Sequence, residues 1–357
     1  MDQSCYYVYA PRYVATSAGI RGLYELVRLL RSVGEAAWIV TQLGQTQDQL
    51  PDSLADLILD YELCLAHRAE GREVIVVYSE TVAGNPLNAQ AIVRYVMNVP
   101  GLLGGPKTYA KDECVYAFSE TLAEAIGKPD WSLFIPLVDE THFVPAPGVV
   151  RNISCVYASK YRQVHKSVPK EAPAGAIEIS RDLEGSPNRS ELLGLLQRAR
   201  RLYLYENSAI AIEAALCGCL VIFVENPYLQ FSIGAKDHGN AGMAWGTDPR
   251  EITRAEKSLP EFRADYIKCR AALLSRLGLF VDRTKAYRRT KPHFGMDPSV
   301  LKPPSYEQLA GEATHRYVAS AGLLKLVPKA LDVFKRRGPL TTARIVFSLL
   351  IHQPPRA

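Results

Sequence analysis

The chain has 357 residues, 48% of them hydrophobic and 22% charged, with a formal net charge of +5. That length is enough for two α/β domains, each with its own core, while the charge is too small to mark a nucleic-acid-binding protein, so no nucleic-acid partner is expected. Seven scattered cysteines, an odd number, indicate no disulfide framework and lack the paired spacing of a zinc site.

The opening MDQS has neither the basic start nor the apolar run of a signal peptide, and no stretch of eighteen apolar residues follows anywhere. A cytoplasmic protein is expected. Residues 6–10 read as a short buried strand, and Leu23, Leu26, Val27, Leu30 and Val33 recur at helical spacing before Gly34. With a second strand at 37–40 this makes the strand, helix, strand unit of a parallel sheet. A helix over 53–68 leads into 73–78, a β-branched run of the kind buried on both faces, and further strands are expected at 113–118 and 132–136. The sequence FVPAPGV at 143–149 interrupts both periodicities and reads as a linker.

A second alternation follows, with strands at 153–158, 175–179, 201–205 and 220–225 and helices at 189–200 and 208–217. Helical patterning covers 250–289. A Pro-rich connector at 302–304 introduces a tail in which Leu323, Leu324, Leu326, Val327, Leu331, Val333 and Phe334 alternate with Lys325, Lys329, Lys335, Arg336, Arg337 and Arg344. Such a stretch can lie on an anionic membrane surface or pack on the body with a solvated basic face. The expected domains are 1–147, 148–290, and a connector and tail over 291–357.

The most informative segment is 201–224, a strand, a polar turn, a helix and the next strand. In parallel sheets ligands bind at the carboxyl ends of strands, where the following helix presents its N-terminus. Asn207 and Ser208 fall at that place, and Glu213 follows one and a half turns into the helix, where it can accept from a ribose diol. Taken alone, Ser208 also reads as a plain N-cap and Glu213 as a solvated helix position.

The run EAALCGCLVI at 213–222 resembles the Glu-Ala-x-Ala-x-Gly-x-Pro-Val-Ile segment of glycosyltransferases with the two-Rossmann, or GT-B, architecture, in particular the family 4-like enzymes of bacterial polysaccharide and lipopolysaccharide synthesis. The resemblance implies an α/β fold with two Rossmann-like domains facing across a cleft. The first domain takes the acceptor and the second takes a nucleotide-sugar donor, with Glu213 on the donor ribose and Asn207, Ser208 and Ala209 on the diphosphate. Family members often carry a further glutamate eight positions earlier. Tyr205 stands there in this chain, with Glu206 one place later, and Leu220 replaces the usual proline.

Lys160 and Arg162 occupy the strand-end position where the family neutralises the diphosphate, and base contacts are expected around 178–182, with Arg181 on the donor side. In the first domain Gly19 matches the loop that approaches the transferred sugar. Glu80 and Asn85, in the turn after strand 73–78, are candidates for acceptor binding or a catalytic carboxylate, and Asn85-Pro86 also reads as a simple turn. Glu80 and Glu206 are the catalytic candidates.

No Asp-x-Asp follows an apolar strand, so neither metal nor other cofactor is expected. The expected activity is transfer of a sugar from a nucleoside-diphosphate sugar to a glycan or lipid-linked acceptor, in surface polysaccharide synthesis and with retained anomeric configuration. Peripheral contact with the inner face of a membrane goes with it. The alternatives are a sugar-nucleotide epimerase of the same architecture or a non-catalytic nucleotide-sugar-binding module.

Overall fold

The computed structural model describes residues 3–41, 50–165, 173–181, 186–292 and 295–302. The basic tail from 306 onward lies outside the described residues.

The chain opens with β1 (Ser4–Ala10), α1 (Ala18–Ser32) and β2 (Ala36–Thr41), then α2 (Asp52–Ala55), α3 (Tyr61–Ala69) and β3 (Glu73–Ser79). Then come β4 (Ile92–Val96), β5 (Cys114–Ala117) and α4 (Glu120–Ala125). The strands form one parallel sheet in the order β2-β1-β3-β4-β5. The side chains of β1, β3 and β4 are almost wholly buried, as expected of strands covered on both faces. Two expectations shift. Strand β4 was not anticipated, because Arg94 stands at its centre, and the strand expected at 132–136 reduces to a single bridge between Ala117 and Ser132.

The second half repeats the winding. It contains β6 (Ile153–Tyr157), α5 (Ser159–His165), β7 (Ile177–Ile179), α6 (Arg189–Arg198), β8 (Ala199–Leu204), α7 (Ile210–Leu216), β9 (Leu220–Phe223), α8 (Ala235–His238) and β10 (Met243–Trp245). Its parallel sheet runs β10-β9-β8-β6-β7. Numbered within each half, both sheets have the order 2-1-3-4-5. In each, the chain reverses direction across the sheet between its first and third strands, β1 and β3 in one and β6 and β8 in the other. The expected architecture of two Rossmann-like α/β halves is therefore present.

Three helices follow: α9 (Pro249–Ser258), α10 (Phe262–Ala271) and α11 (Leu273–Arg288). Phe262, Tyr266 and Cys269 of α10 join the core of the second sheet. Leu273, Leu277, Phe280 and Val281 of α11 instead close the core of the first sheet, where Tyr6 Oη and Thr284 Oγ1 are 2.8 Å apart. No helix among the described residues is long and apolar enough to cross a membrane.

Candidate active site

A cavity of about 390 Å³ lies where the carboxyl ends of the two sheets meet. Its wall is made by the residues that follow successive strands. The first half contributes Pro11 and Thr16–Gly19 after β1, Ser79–Thr81 after β3, and Met97 and Asn98 after β4. The second half contributes Tyr157 and Lys160 at the end of β6, Arg181 after β7, Asn207–Ala209 after β8, and Ser232–Gly234 after β9. Both switch points of the doubly wound sheets thus open into one space, the position at which such sheets bind ligands. Its volume falls within the roughly 300–1,000 Å³ of small-molecule sites.

Glu80 is 4% exposed. Burial pushes its carboxyl above the usual range, against the Met97 N–H, which donates to Oε2 at 2.9 Å, and the positive field of Lys160. Gly105 fixes this loop from behind. With φ of +75°, it packs so closely that a Cβ would lie 2.2 Å from the Glu80 carbonyl oxygen. Across the cavity, Lys160 is the cation that acts on Glu80.

Asn207 lines the cavity and also braces its wall. Its Nδ2 donates to Phe231 O and its Oδ1 accepts from Ile233 N, both at 3.0 Å, which holds the loop after β9 in the wall. Ser208 and Ala209 line the cavity directly, ahead of α7, whose N-cap Ala209 offers no side-chain cap. Gly19 lines the other side, and an added Cβ there would meet nothing within 4 Å.

Four expected residues have other surroundings. Glu213 is buried, and its carboxylate is engaged by Arg181, which reaches it from the loop after β7. That geometry commits the carboxylate to an arginine rather than presenting it to a ribose. Arg181 itself, 9% exposed at its side chain, does line the cavity. Arg162 points away and pairs with Glu178 at 2.6 Å, both more than a third exposed. Glu206 accepts from Tyr161 N at 2.9 Å and borders a small recess beside the main cavity. Asn85 lies outside the cavity wall and organises a turn, accepting from Ala89 N at 2.8 Å and from Tyr78 Oη at 3.0 Å. The simple-turn reading is the one its contacts fit.

His238 was not anticipated. It lines the cavity between Phe134 and Phe262. The Gly239 carbonyl lies 2.8 Å from Nδ1 and can only accept, so Nδ1 carries the hydrogen and Nε2 the lone pair. Burial pulls its pKa down to about 4, so the ring is neutral near pH 7. A Cβ on Gly234 would lie 2.2 Å from Nε2, so the ring fits only because that position is glycine. The sequence signal was thin, a Gly four places before a lone His in a polar loop. Among the described residues no group of three or more His, Cys, Asp or Glu converges as a metal site.

No family model and no curated protein matches the chain. Among solved structures, a glycosyltransferase from Rickettsia africae ESF-5 aligns with a TM-score of 0.47 at 13% identity, covering 79% of this chain and 98% of that one. The glycosyltransferase SnogD from Streptomyces nogalater gives 0.39 at 13%, covering 78% and 99%. The glycosyltransferase VinC, solved with dTDP, gives 0.38 at 11%, covering 80% and 100%. At such distances the activity has to be read from the site itself.

Proposed function

We propose that the protein is a glycosyltransferase that binds a nucleoside-diphosphate sugar in the cavity between its two halves and passes the sugar to a glycan or lipid-linked acceptor. The observation that carries this reading is the shared cavity itself, at both switch points, with Lys160 and Arg181 on the side of the second half and a buried carboxylate, Glu80, on the side of the first. The two cations supply fixed positive potential for a diphosphate, and no metal is needed in this scheme.

In the proposed reaction an acceptor oxygen bonds to the anomeric carbon as the bond from that carbon to the diphosphate breaks. Lys160 and Arg181 meet the charge that grows on the departing diphosphate, and Glu80 orients the acceptor by accepting a hydrogen bond from one of its other hydroxyls. The resemblance at 213–222 favours retention. Acceptor and leaving group then share one face of the sugar, and the hydroxyl proton passes to the departing diphosphate oxygen. The anomeric coupling constant of the product, read by proton NMR, decides that point. A surface-polysaccharide acceptor and a hold on anionic membrane through the basic stretch 323–344 complete the reading.

The test is thermal shift of the full chain against UDP, GDP, dTDP, CMP and ADP. One diphosphate at about one hundred times its dissociation constant should add roughly 2.7 kcal/mol, and Lys160→Ala and Arg181→Ala should each abolish most of that gain. If no nucleotide stabilises the wild type, the reading fails.

A further inference from the structure

A second cavity, also of about 390 Å³, lies on the other side of α1 and is closed by residues 136–140 and by Arg270 of α10. Its wall includes Arg21 and Arg28, the edge-to-face pair Tyr13 and Tyr24, whose rings are 5.1 Å apart, and three carboxylates. Each carboxylate has a neighbour other than Arg21. Glu140 pairs with Arg270 at 2.8 Å, Asp139 accepts from the Thr141 hydroxyl at 2.7 Å, and Glu25 sits 4.0 Å from Arg28. Although Glu25 is one helical turn from Arg21, it does not pair with it.

Among the described residues, no hydrogen bond or ion pair reaches the Arg21 guanidinium, and its Nε is fully buried. The position is adverse in three further ways. Arg21 stands in the first turn of α1, which holds no acidic residue, where the helix dipole disfavours a cation. Arg181 and Arg189 repel it, and the carboxylate that attracts it, Glu213, is engaged by Arg181. Local conflicts of this kind cluster at functional sites.

We propose that this cavity binds a sugar bearing an oxyanion, a carboxylate or a phosphate ester, with the Arg21 fork as its anchor. The planar guanidinium matches either group through two parallel hydrogen bonds. The sugar hydroxyls then donate to Asp139 and Glu25, and the two tyrosine rings give the sugar an apolar face. The cavity shares only Leu137 with the lining of the nucleotide-sugar cavity, and the proposal does not depend on that reading.

Thermal shift of the full chain with glucuronate, glucose 6-phosphate and glucose tests it. The wild type should show a saturable rise with at least one oxyanion and none with glucose, and Arg21→Met should lose that rise. A response to glucuronate alone assigns the carboxylate, and one to glucose 6-phosphate alone assigns the phosphate ester. Arg21→Lys keeps the charge without the fork and should respond more weakly than the wild type, which decides the matter if the methionine variant does not fold. Lys160→Ala should keep whichever oxyanion response the wild type shows while losing the nucleotide response, which separates failure of one site from failure of the other. No rise in the wild type, or an equal rise in Arg21→Met, overturns the proposal.

Discussion

Glu213 on α7 and Arg181 in the loop after β7 are both nearly enclosed and face each other. Two charges removed from water are held mainly by each other, so deleting one leaves the other uncompensated. Glu213→Ala is expected to destabilise by about 3–5 kcal/mol, and the double replacement Glu213→Leu with Arg181→Met by far less. Urea unfolding of the three proteins measures this, and a double variant that loses as much as Glu213→Ala would contradict it. The sequence placed Glu213 on the right helix and Arg181 on the donor side, but their pairing joins a helix and a loop residue thirty-two positions apart, and no local periodicity records such a contact. Gly105 gives a second residue-scale expectation. Gly104 and Gly105 both have positive φ, but only at Gly105 does a Cβ meet backbone, at Glu80 and Thr81. Gly104→Ala should cost about 1–2 kcal/mol from backbone conformation alone. Gly105→Ala should cost visibly more in the same unfolding assay and lower the transfer rate by displacing Glu80.

At the scale of elements, legibility followed burial pattern. Strands β1, β3 and β9 are continuous apolar runs and read directly from the sequence, and so does α1. Strand β4 did not, because its centre is Arg94, whose guanidinium is held by Glu113 at 2.8 Å and by the carbonyl of Val82 at 2.8 Å. The helix expected at 53–68 breaks into α2 and α3 because Leu57 and Leu59 exchange backbone hydrogen bonds with Ile39. A tertiary contact overrode the local preference there. Helix α8 shows what short elements do. It docks on α4 through Asp237, which accepts from Glu120 N at 3.0 Å and from Arg276 at 2.5 Å, while Lys236 pairs with Glu124. Burial raises the Asp237 carboxyl to about 6, despite the hydrogen bonds from Glu120 N–H and Arg276 that favour its ionised form. A carboxyl raised in the folded state contributes stability that is complete below about pH 3.8 and is lost as pH rises through about 6. Relative to Asp237→Asn, the wild type should therefore lose roughly 2–2.5 kcal/mol between pH 4 and pH 7. Chemical denaturation of both proteins across that range reads the difference, and a flat difference would remove the assignment.

For the whole molecule, the two halves share one winding, yet the first is not closed by its own stretch of chain. Helix α11 comes after both sheets in sequence and supplies Leu277, Phe280 and Val281 to the core of the first. It adds polar ties, with Lys285 pairing Glu35 at 2.7 Å and Arg283 donating to Asp130 O at 2.6 Å. Its amphipathic pattern was legible as helix, but its partner was not, since nothing in a helix's period names the surface that it covers. Burying three large apolar side chains stabilises by roughly 5–9 kcal/mol, comparable to the whole 5–15 kcal/mol margin of an ordinary domain. Residues 1–147 expressed alone should then expose the sheet face that α11 covers, bind a hydrophobic dye and unfold without a cooperative transition. The same segment carrying 273–292 through a flexible linker should recover a cooperative melt, and Phe280→Asp in that fusion should abolish it. A cooperative melt of 1–147 alone would mean that the first sheet is self-sufficient. If it is not, α11 ties the folding of the first half to synthesis of the complete second half, and the cavity between them forms only once the chain has returned.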